Sequence, residues 1–321
     1  MRVLITGGGG MIGARLANRL ARSGKIVGQP LTQLVLADLI EPPAPDAAFP
    51  ITTIAADLGT GEGRETCLAG APDLIFNLAA IVSGAAEADF DLGYRVNLEA
   101  TAAFFNDIRH LRSNPKVVAT SSVAAFGGDL PDIVPDSFCL TPQNSYGTQK
   151  AIGELLLADH TRRGHMDGRC VRLPTISVRP GRPNAAASSF ISGIIREPLA
   201  GEEAALPVDG ALKVWIASPD CAVETLLHAA SLPGGALGPG AVVSGRGISV
   251  SVNEMLEALE RAVGPEMRAR VISKPDPVVA AIVGGWPKAF ACTLATELGF
   301  PVDESIDEII AAHMRDMKLV D

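Results

Sequence analysis

Among 321 residues the chain has only two tyrosines and seven lysines, yet in "NSYGTQKAIGE" Tyr146 and Lys150 stand four apart. On a helix that spacing puts both on one face, one turn apart. A phenol is a weak base at neutral pH, and an ammonium group one turn away favours its phenolate form. Upstream, the apolar run "KVVATSS" ends in Ser121 and Ser122. A serine hydroxyl at a strand end is suited to holding a substrate oxygen. The three side-chain types together make a proton acceptor that works beside a hydride acceptor.

A hydride acceptor needs its own site, and "TGGGGMIG" at residues 6–13 has the right form. Gly7, Gly10 and Gly13 are spaced as GxxGxxG between an apolar strand pattern and a helical one. Glycine permits backbone angles closed to other residues. Without side chains, a pyrophosphate can lie against the N-terminus of the helix that Met11 and Ile12 open, where free N–H groups and the dipole favour anions. Asp38, ending "QLVLAD", is placed to accept both hydroxyls of an adenosine ribose and to repel a 2′-phosphate. The next residues, Leu39 and Ile40, bring no cation. NAD, not NADP, is the cofactor these residues predict.

These residues need a scaffold with parallel strand ends on one edge. Strand patterns at 2–6, 33–38, 49–57, 73–80, 116–122 and 168–178 alternate with helical patterns, including 94–110 and 145–162. That alternation predicts an α/β fold, a Rossmann-type doubly wound parallel sheet. After Val178 the texture changes to Pro- and Gly-broken segments and amphipathic helices. The expected division is an NAD-binding domain at 1–178 and a smaller, mostly helical substrate region at 179–321, with 213–245 returning to the sheet.

The net charge of −9 argues against nucleic acid or an anionic membrane as partner. The 27 cations divide into 20 Arg and seven Lys, and Arg is the residue suited to gripping a carboxylate with two hydrogen bonds. A small anionic substrate is possible where an Arg is placed to receive it, and Arg179 and Arg182 stand in the loop just beyond the strand pattern that ends at 178. Ser83, Asn184, Ser188 and Ser189 are polar candidates for its hydroxyls. The five scattered cysteines have no CxxC spacing and read as reduced thiols. The five histidines have no ligand spacing, so no metal is expected. No secretory h-region follows the first residues. The apolar run at 278–286 is far shorter than the roughly 20 residues a bilayer requires. A cytoplasmic protein is expected.

With the TGGxGxxG turn, Asp38, Asp57-Leu58, "NLAA" at 77–80, Asn97, the serine pair and YxxxK all present, the chain resembles the extended short-chain dehydrogenase/reductase family over essentially its whole length. The resemblance selects Ser122, four residues before Phe126, as the catalytic serine. It makes Tyr146 the base and puts Lys150 on the nicotinamide ribose. It also implies Asp57 and Leu58 around adenine, Leu78, Ala79 and Ala80 along the cofactor, Asn97 among the cofactor-site residues, and Pro174, Thr175 and Ile176 bordering the nicotinamide. Many members carry His where this chain has Asn77. Helices 94–110 and 146–162 resemble the pair that forms a four-helix interface in this family, implying a homodimer.

Members that dehydrate their substrates usually have a carboxylate beside the catalytic hydroxyl; here Ser122 has Ser121 and Val123. The wording of 172–203 and 242–256 resembles a branch that oxidises a four-carbon aldonic acid at C2 with NAD. Two other readings fit the motifs. One is a nucleotide-sugar 4-epimerase with tightly held NAD, although the C-terminal part is poor in aromatic and basic residues for a nucleotide platform. The other is an NAD-sensing protein without turnover, against which the intact Ser-Tyr-Lys set speaks.

Overall fold

A computed structural model describes residues 1–181 and 188–319. The chain divides into two compact units. The first takes 1–125, 144–172 and 223–243; the second takes the described residues of 126–143, 173–222 and 244 onward.

The first unit is built on a seven-stranded sheet. Its strands are β1 (Arg2–Thr6), β2 (Gln33–Asp38), β3 (Ile51–Ala55), β4 (Leu74–Asn77), β5 (Lys116–Ser122), β6 (Asp167–Leu173) and β7 (Val242–Ser244), in the spatial order β7-β6-β5-β4-β1-β2-β3. β1 pairs in parallel with both β2 and β4, β2 with β3, and β4 with β5. The chain order reverses between β1 and β4, the position at which ligands enter open sheets of this kind. The central strands are apolar almost without interruption because both faces are covered. Val3, Leu4, Ile5, Leu34, Leu74, Ile75, Phe76, Val117 and Val118 are wholly buried.

The covering helices follow from local signals. Helix α1 (Met11–Ser23) buries Leu16, Ala17, Leu20 and Ala21 at helical spacing. It stops at Gly24, whose left-handed φ of 62° lets its N–H reach Leu20 O. Helix α2 (Gly61–Leu68) starts at Thr60, whose side chain accepts from Gly63 N–H. A π turn (Tyr94–Glu99) leads into α3 (Ala100–Leu111). Helix α4 (Ser145–Arg162) is capped by Asn144, whose Oδ1 accepts from Gly147 N–H at 2.8 Å. Phe104, Phe105 and Ile108 of α3 and Leu157 of α4 join Leu4, Ile75 and Val117 in one core cluster.

The second unit has a separate core in which Ile191, Ile194, Ile195, Met255, Leu259, Ile309 and Ile310 cluster. They come from helices Ser189–Leu199, Val252–Val263 and Ile306–Asp316. The unit also holds a three-stranded sheet of Thr175–Ile176, Lys213–Ala217 and Ile248–Ser251, and a parallel pair, Ala204–Leu206 with Val271–Ser273.

Two elements differ from the sequence reading. The expected strand 168–178 is two strands: β6 ends at Leu173, and Thr175–Ile176 pairs with Lys213–Ala217 in the smaller sheet. Pro174 falls at the break, where its missing N–H and fixed φ interrupt a ladder. The return of 213–245 also divides. Val242–Ser244 forms the sheet edge as β7, whereas Lys213–Ala217 pairs antiparallel with Ile248–Ser251. Among the described residues no helix is long and apolar enough to cross a membrane, and no group of three or more His, Cys, Asp or Glu could hold a metal ion.

Burial pushes the Cys67 thiol up to about 11 and the Cys292 thiol to about 12, and it raises Cys170 further. Cys139 is exposed. Because the thiolate is the reactive form, a thiol reagent at neutral pH should label Cys139 in the native protein. The three raised thiols should react only after denaturation, which peptide mapping of the labelled protein would check.

Candidate active site

Backbone proximity builds the first half of the site. Gly7 has φ +73°, and a Cβ there would stand 2.8 Å from Ala79 N. A Cβ on Gly13 would fall 2.1 Å from Gly7 O, so α1 sits against the turn as only glycine permits. Leu78 N–H donates to Thr6 O at 3.1 Å, carrying the β1–β4 pairing one residue past the strand. This brings Leu78 and Ala79 beside Gly7, with Ala80 exposed just after them. Met11 and Ile12 are half-buried in the first turn of α1, which has no acidic residue and no side-chain cap. Its first N–H groups are therefore available to an anion.

Asp38 closes over the same turn. Its Oδ2 accepts from Gly9 N–H at 2.9 Å and its Oδ1 from Leu39 N–H at 2.8 Å. Leu39 and Ile40 point outward, 63% and 83% exposed. A carboxylate beside a bare glycine turn, with no neighbouring side-chain cation in 39–40, suits a ribose diol and not a ribose phosphate. After β3, Asp57 Oδ1 accepts from Gly59 N–H at 2.8 Å, and Leu58 O accepts from Arg64 Nη1 at 2.9 Å. Arg64 Nε in turn donates to Asp107 Oδ2 at 2.6 Å, so the turn is braced from below. The residues present fit NAD.

The second half of the site lies on β5 and α4. Strand alternation separates the two serines. Ser121 is buried and its Oγ has no hydrogen-bond partner; Ser122 is half-buried and its Oγ accepts from Ala124 N–H at 3.1 Å. Both Tyr146 and Lys150 are half-buried on α4. The Lys150 Nζ stands 5.6 Å from the centre of the Tyr146 ring and donates to Thr120 O at 3.1 Å. That bond ties the helix to the strand two residues before Ser122. Ser83 is half-buried at the start of the short helix Ser83–Ala88, whose Glu87 accepts from Ser145 N–H at 2.9 Å.

Several supporting residues were not singled out from the sequence. Glu154 continues the Tyr146–Lys150 row by another four residues and meets Arg172 of β6 through two hydrogen bonds, 2.9 and 2.8 Å. Thr6 Oγ1 donates to Asn77 Oδ1 at 2.9 Å, which gives Asn77 a buried partner. Asn97, expected beside the cofactor, has both ends of its amide engaged by Ile81 and Gln149. A polar residue at i+4 from Lys150 was a usable signal for Glu154. Nothing in the sequence marked Gln149.

In the second unit, Pro174 is buried and Thr175 and Ile176 are half-buried in their strand. Arg179 N–H donates to Ser192 Oγ at 3.0 Å, and its Nη2 donates to Ser188 Oγ at 2.6 Å and to Ser188 O at 3.2 Å. Arg182 and Asn184 lie outside the described residues.

A glycine turn at the sheet's reversal point, a ribose-type carboxylate and a Ser-Tyr-Lys set define an NAD-dependent short-chain oxidoreductase. Residues 3–231 match the NAD dependent epimerase/dehydratase family, and the chain belongs to it. Among its relatives, D-erythronate dehydrogenase of Cupriavidus necator is 48% identical over 99% of this chain and 99% of that protein. D-erythronate dehydrogenase of Haemophilus influenzae is 41% identical over 97% and 98%. A solved structure of a nucleoside-diphosphate-sugar epimerase from Agrobacterium tumefaciens has a TM-score of 0.96 at 44% identity, covering 100% of this chain and 95% of that one.

The Glu154–Arg172 pair gives a stability expectation. Glu154 is 3% exposed and Arg172 13%, so Glu154→Ala leaves a buried guanidinium without its carboxylate. A loss of about 3–5 kcal/mol is expected, read as the shift in urea midpoint. A paired Glu154→Leu, Arg172→Met replacement should recover most of it.

Proposed function

We propose that the chain oxidises a small 2-hydroxy (aldonic) acid with NAD, and that D-erythronate, converted to 2-dehydro-D-erythronate, is its substrate. The observation that carries this reading is near-full-length identity to two D-erythronate dehydrogenases, joined to the Lys150–Tyr146 arrangement beside Ser122.

In the proposed reaction Tyr146 takes the proton of the C2 hydroxyl as its phenolate. Ser122 donates a hydrogen bond to that oxygen and fixes its direction. Lys150, held on Thr120 O, keeps positive charge one turn from the phenol and reaches the nicotinamide ribose. When bound, NAD supplies the acceptor for the hydrogen and electron pair that leave C2. Gly7, Gly10, Met11, Ile12 and Gly13 hold its pyrophosphate, Asp38 the adenosine ribose, and Asp57 and Leu58 the adenine. Leu78, Ala79, Ala80, Pro174 and Ile176 line it, and Asn97 supports the lining. Ser83 and Thr175 face the substrate, and Arg179 or Arg182 receives its carboxylate through the two-pronged pairing that guanidinium favours. The 1–178 segment acts as the cofactor domain and 179–321 as the substrate region, in a cytoplasmic homodimer paired through 94–110 and 146–162.

The 44% identical epimerase structure supports a second reading: a nucleotide-sugar epimerase in which NAD stays bound and is regenerated. The two differ in whether NADH leaves. A panel of three- to six-carbon aldonic acids with NAD and with NADP, followed by NADH absorbance, should show turnover with D-erythronate and NAD. Co-purifying cofactor, interconverted nucleotide sugars and no net NADH would decide for the epimerase.

Tyr146→Phe should lower turnover by about 10²–10⁴-fold and leave NAD affinity, read by fluorescence titration, unchanged. Full activity in that variant removes the phenol from the mechanism. A monomer mass by light scattering would exclude the dimer.

A further inference from the structure

Side-chain amides join α4 to the loop that leaves β4, at a cost that packing alone does not explain. Gln149 stands between Tyr146 and Lys150 and is fully buried. Its Oε1 accepts from Asn97 Nδ2 at 2.8 Å. Asn97, also buried, holds the backbone of Ile81 at both ends: its Oδ1 accepts from Ile81 N–H at 2.9 Å, and its Nδ2 donates to Ile81 O at 3.2 Å. Because Oδ1 already takes an N–H, the Asn97 group facing Gln149 is the donor, and Gln149 presents its oxygen.

The other end of the Gln149 amide is unusual. Nε2 has no hydrogen-bond partner and lies so close to Gly93 that a Cβ there would come within 2.7 Å. A buried donor without a partner costs about 1–3 kcal/mol. Methionine fills similar space with no such donor. Asn97 also comes from the π turn Tyr94–Glu99, a helical irregularity often found at functional sites. Two local irregularities serve one link, and that link ends at Ile81, directly after Leu78–Ala80.

We propose that Gln149 is a positioning residue that, through Asn97, sets the place of the 78–81 loop relative to Tyr146 and Lys150. The proposal rests on the dehydrogenase reading, in which that loop lines NAD and Tyr146 is the base. Gln149 touches neither reactant. It fixes the spacing between the two halves of the reaction, where a displacement of about 1 Å costs roughly 10²-fold in rate.

The test compares Gln149→Met and Gln149→Glu with the unaltered protein, with three readouts: thermal midpoint, hydrogen–deuterium exchange of residues 78–82, and kcat and KM for the hydroxy acid. The Met variant should keep or raise its midpoint, because the partnerless donor is gone. Exchange in 78–82 should rise by about tenfold or more as the loop opens locally. In the same variant kcat should fall by about 10–100-fold with KM little changed. The Glu variant keeps an acceptor for Asn97 and should restore both loop protection and most of kcat.

Unchanged exchange and kcat in the Met variant overturns the proposal. So does equal impairment of the Met and Glu variants, or a kcat loss that merely follows a lowered midpoint. If the unaltered protein turns over no hydroxy acid while loop exchange still responds to Gln149, the dehydrogenase reading fails and the link stands.

Discussion

Gly13 packs so closely on Gly7 O that a Cβ there would fall 2.1 Å from it, and the remaining geometry of the site is arranged around that contact. Gly7 also abuts Ala79, Gly8 N–H donates to Ala37 O at 3.0 Å, and Gly9 N–H donates to Asp38. One turn therefore gathers the ends of β1, β2 and β4 and the start of α1. A side chain at Gly7 or Gly13 would push these elements apart, and with them the carboxylate and the helix N-terminus that an anionic dinucleotide needs.

Helix α4 meets the opposite demand: polar groups on a buried face. Gln149 and Glu154 are buried and Tyr146 and Lys150 half-buried, and three of the four have protein partners in Thr120 O, Asn97 and Arg172. An unpaired charge in such a place is costly, so each partner is also a locator. The bond from Lys150 to β5 and the ion pair from Glu154 to β6 pin the helix at successive turns. The phenol, one turn before the first of these anchors, is thereby held near a strand end.

The relatives carry two kinds of name, dehydrogenase and epimerase, at similar identity. Both chemistries begin by removing a proton from a hydroxyl beside bound NAD, and the Ser-Tyr-Lys set serves either. The difference lies in what becomes of the reduced cofactor and in which groups hold the substrate. A short carboxylate-bearing substrate wants a local guanidinium, the role proposed for Arg179 or Arg182.

Features local to the chain specify the parts of the site that depend on sequence neighbours. The glycine spacing, the acid ending the second strand, the Tyr–Lys helical pair and the β/α alternation all act over a few residues, where backbone angle and helical period decide the outcome. Tertiary structure alone decided the rest. Residues 168–178 became strands of two sheets, with Pro174 at the break, because the strand each half pairs with is set by the packed chain. Asn97 found Gln149 52 residues away, Glu154 found Arg172 18 away, and Asn77 found Thr6 71 away. No periodicity encodes such pairs. A buried polar atom takes whichever complementary atom the packed chain brings within hydrogen-bond reach, and that is known only once the chain is folded.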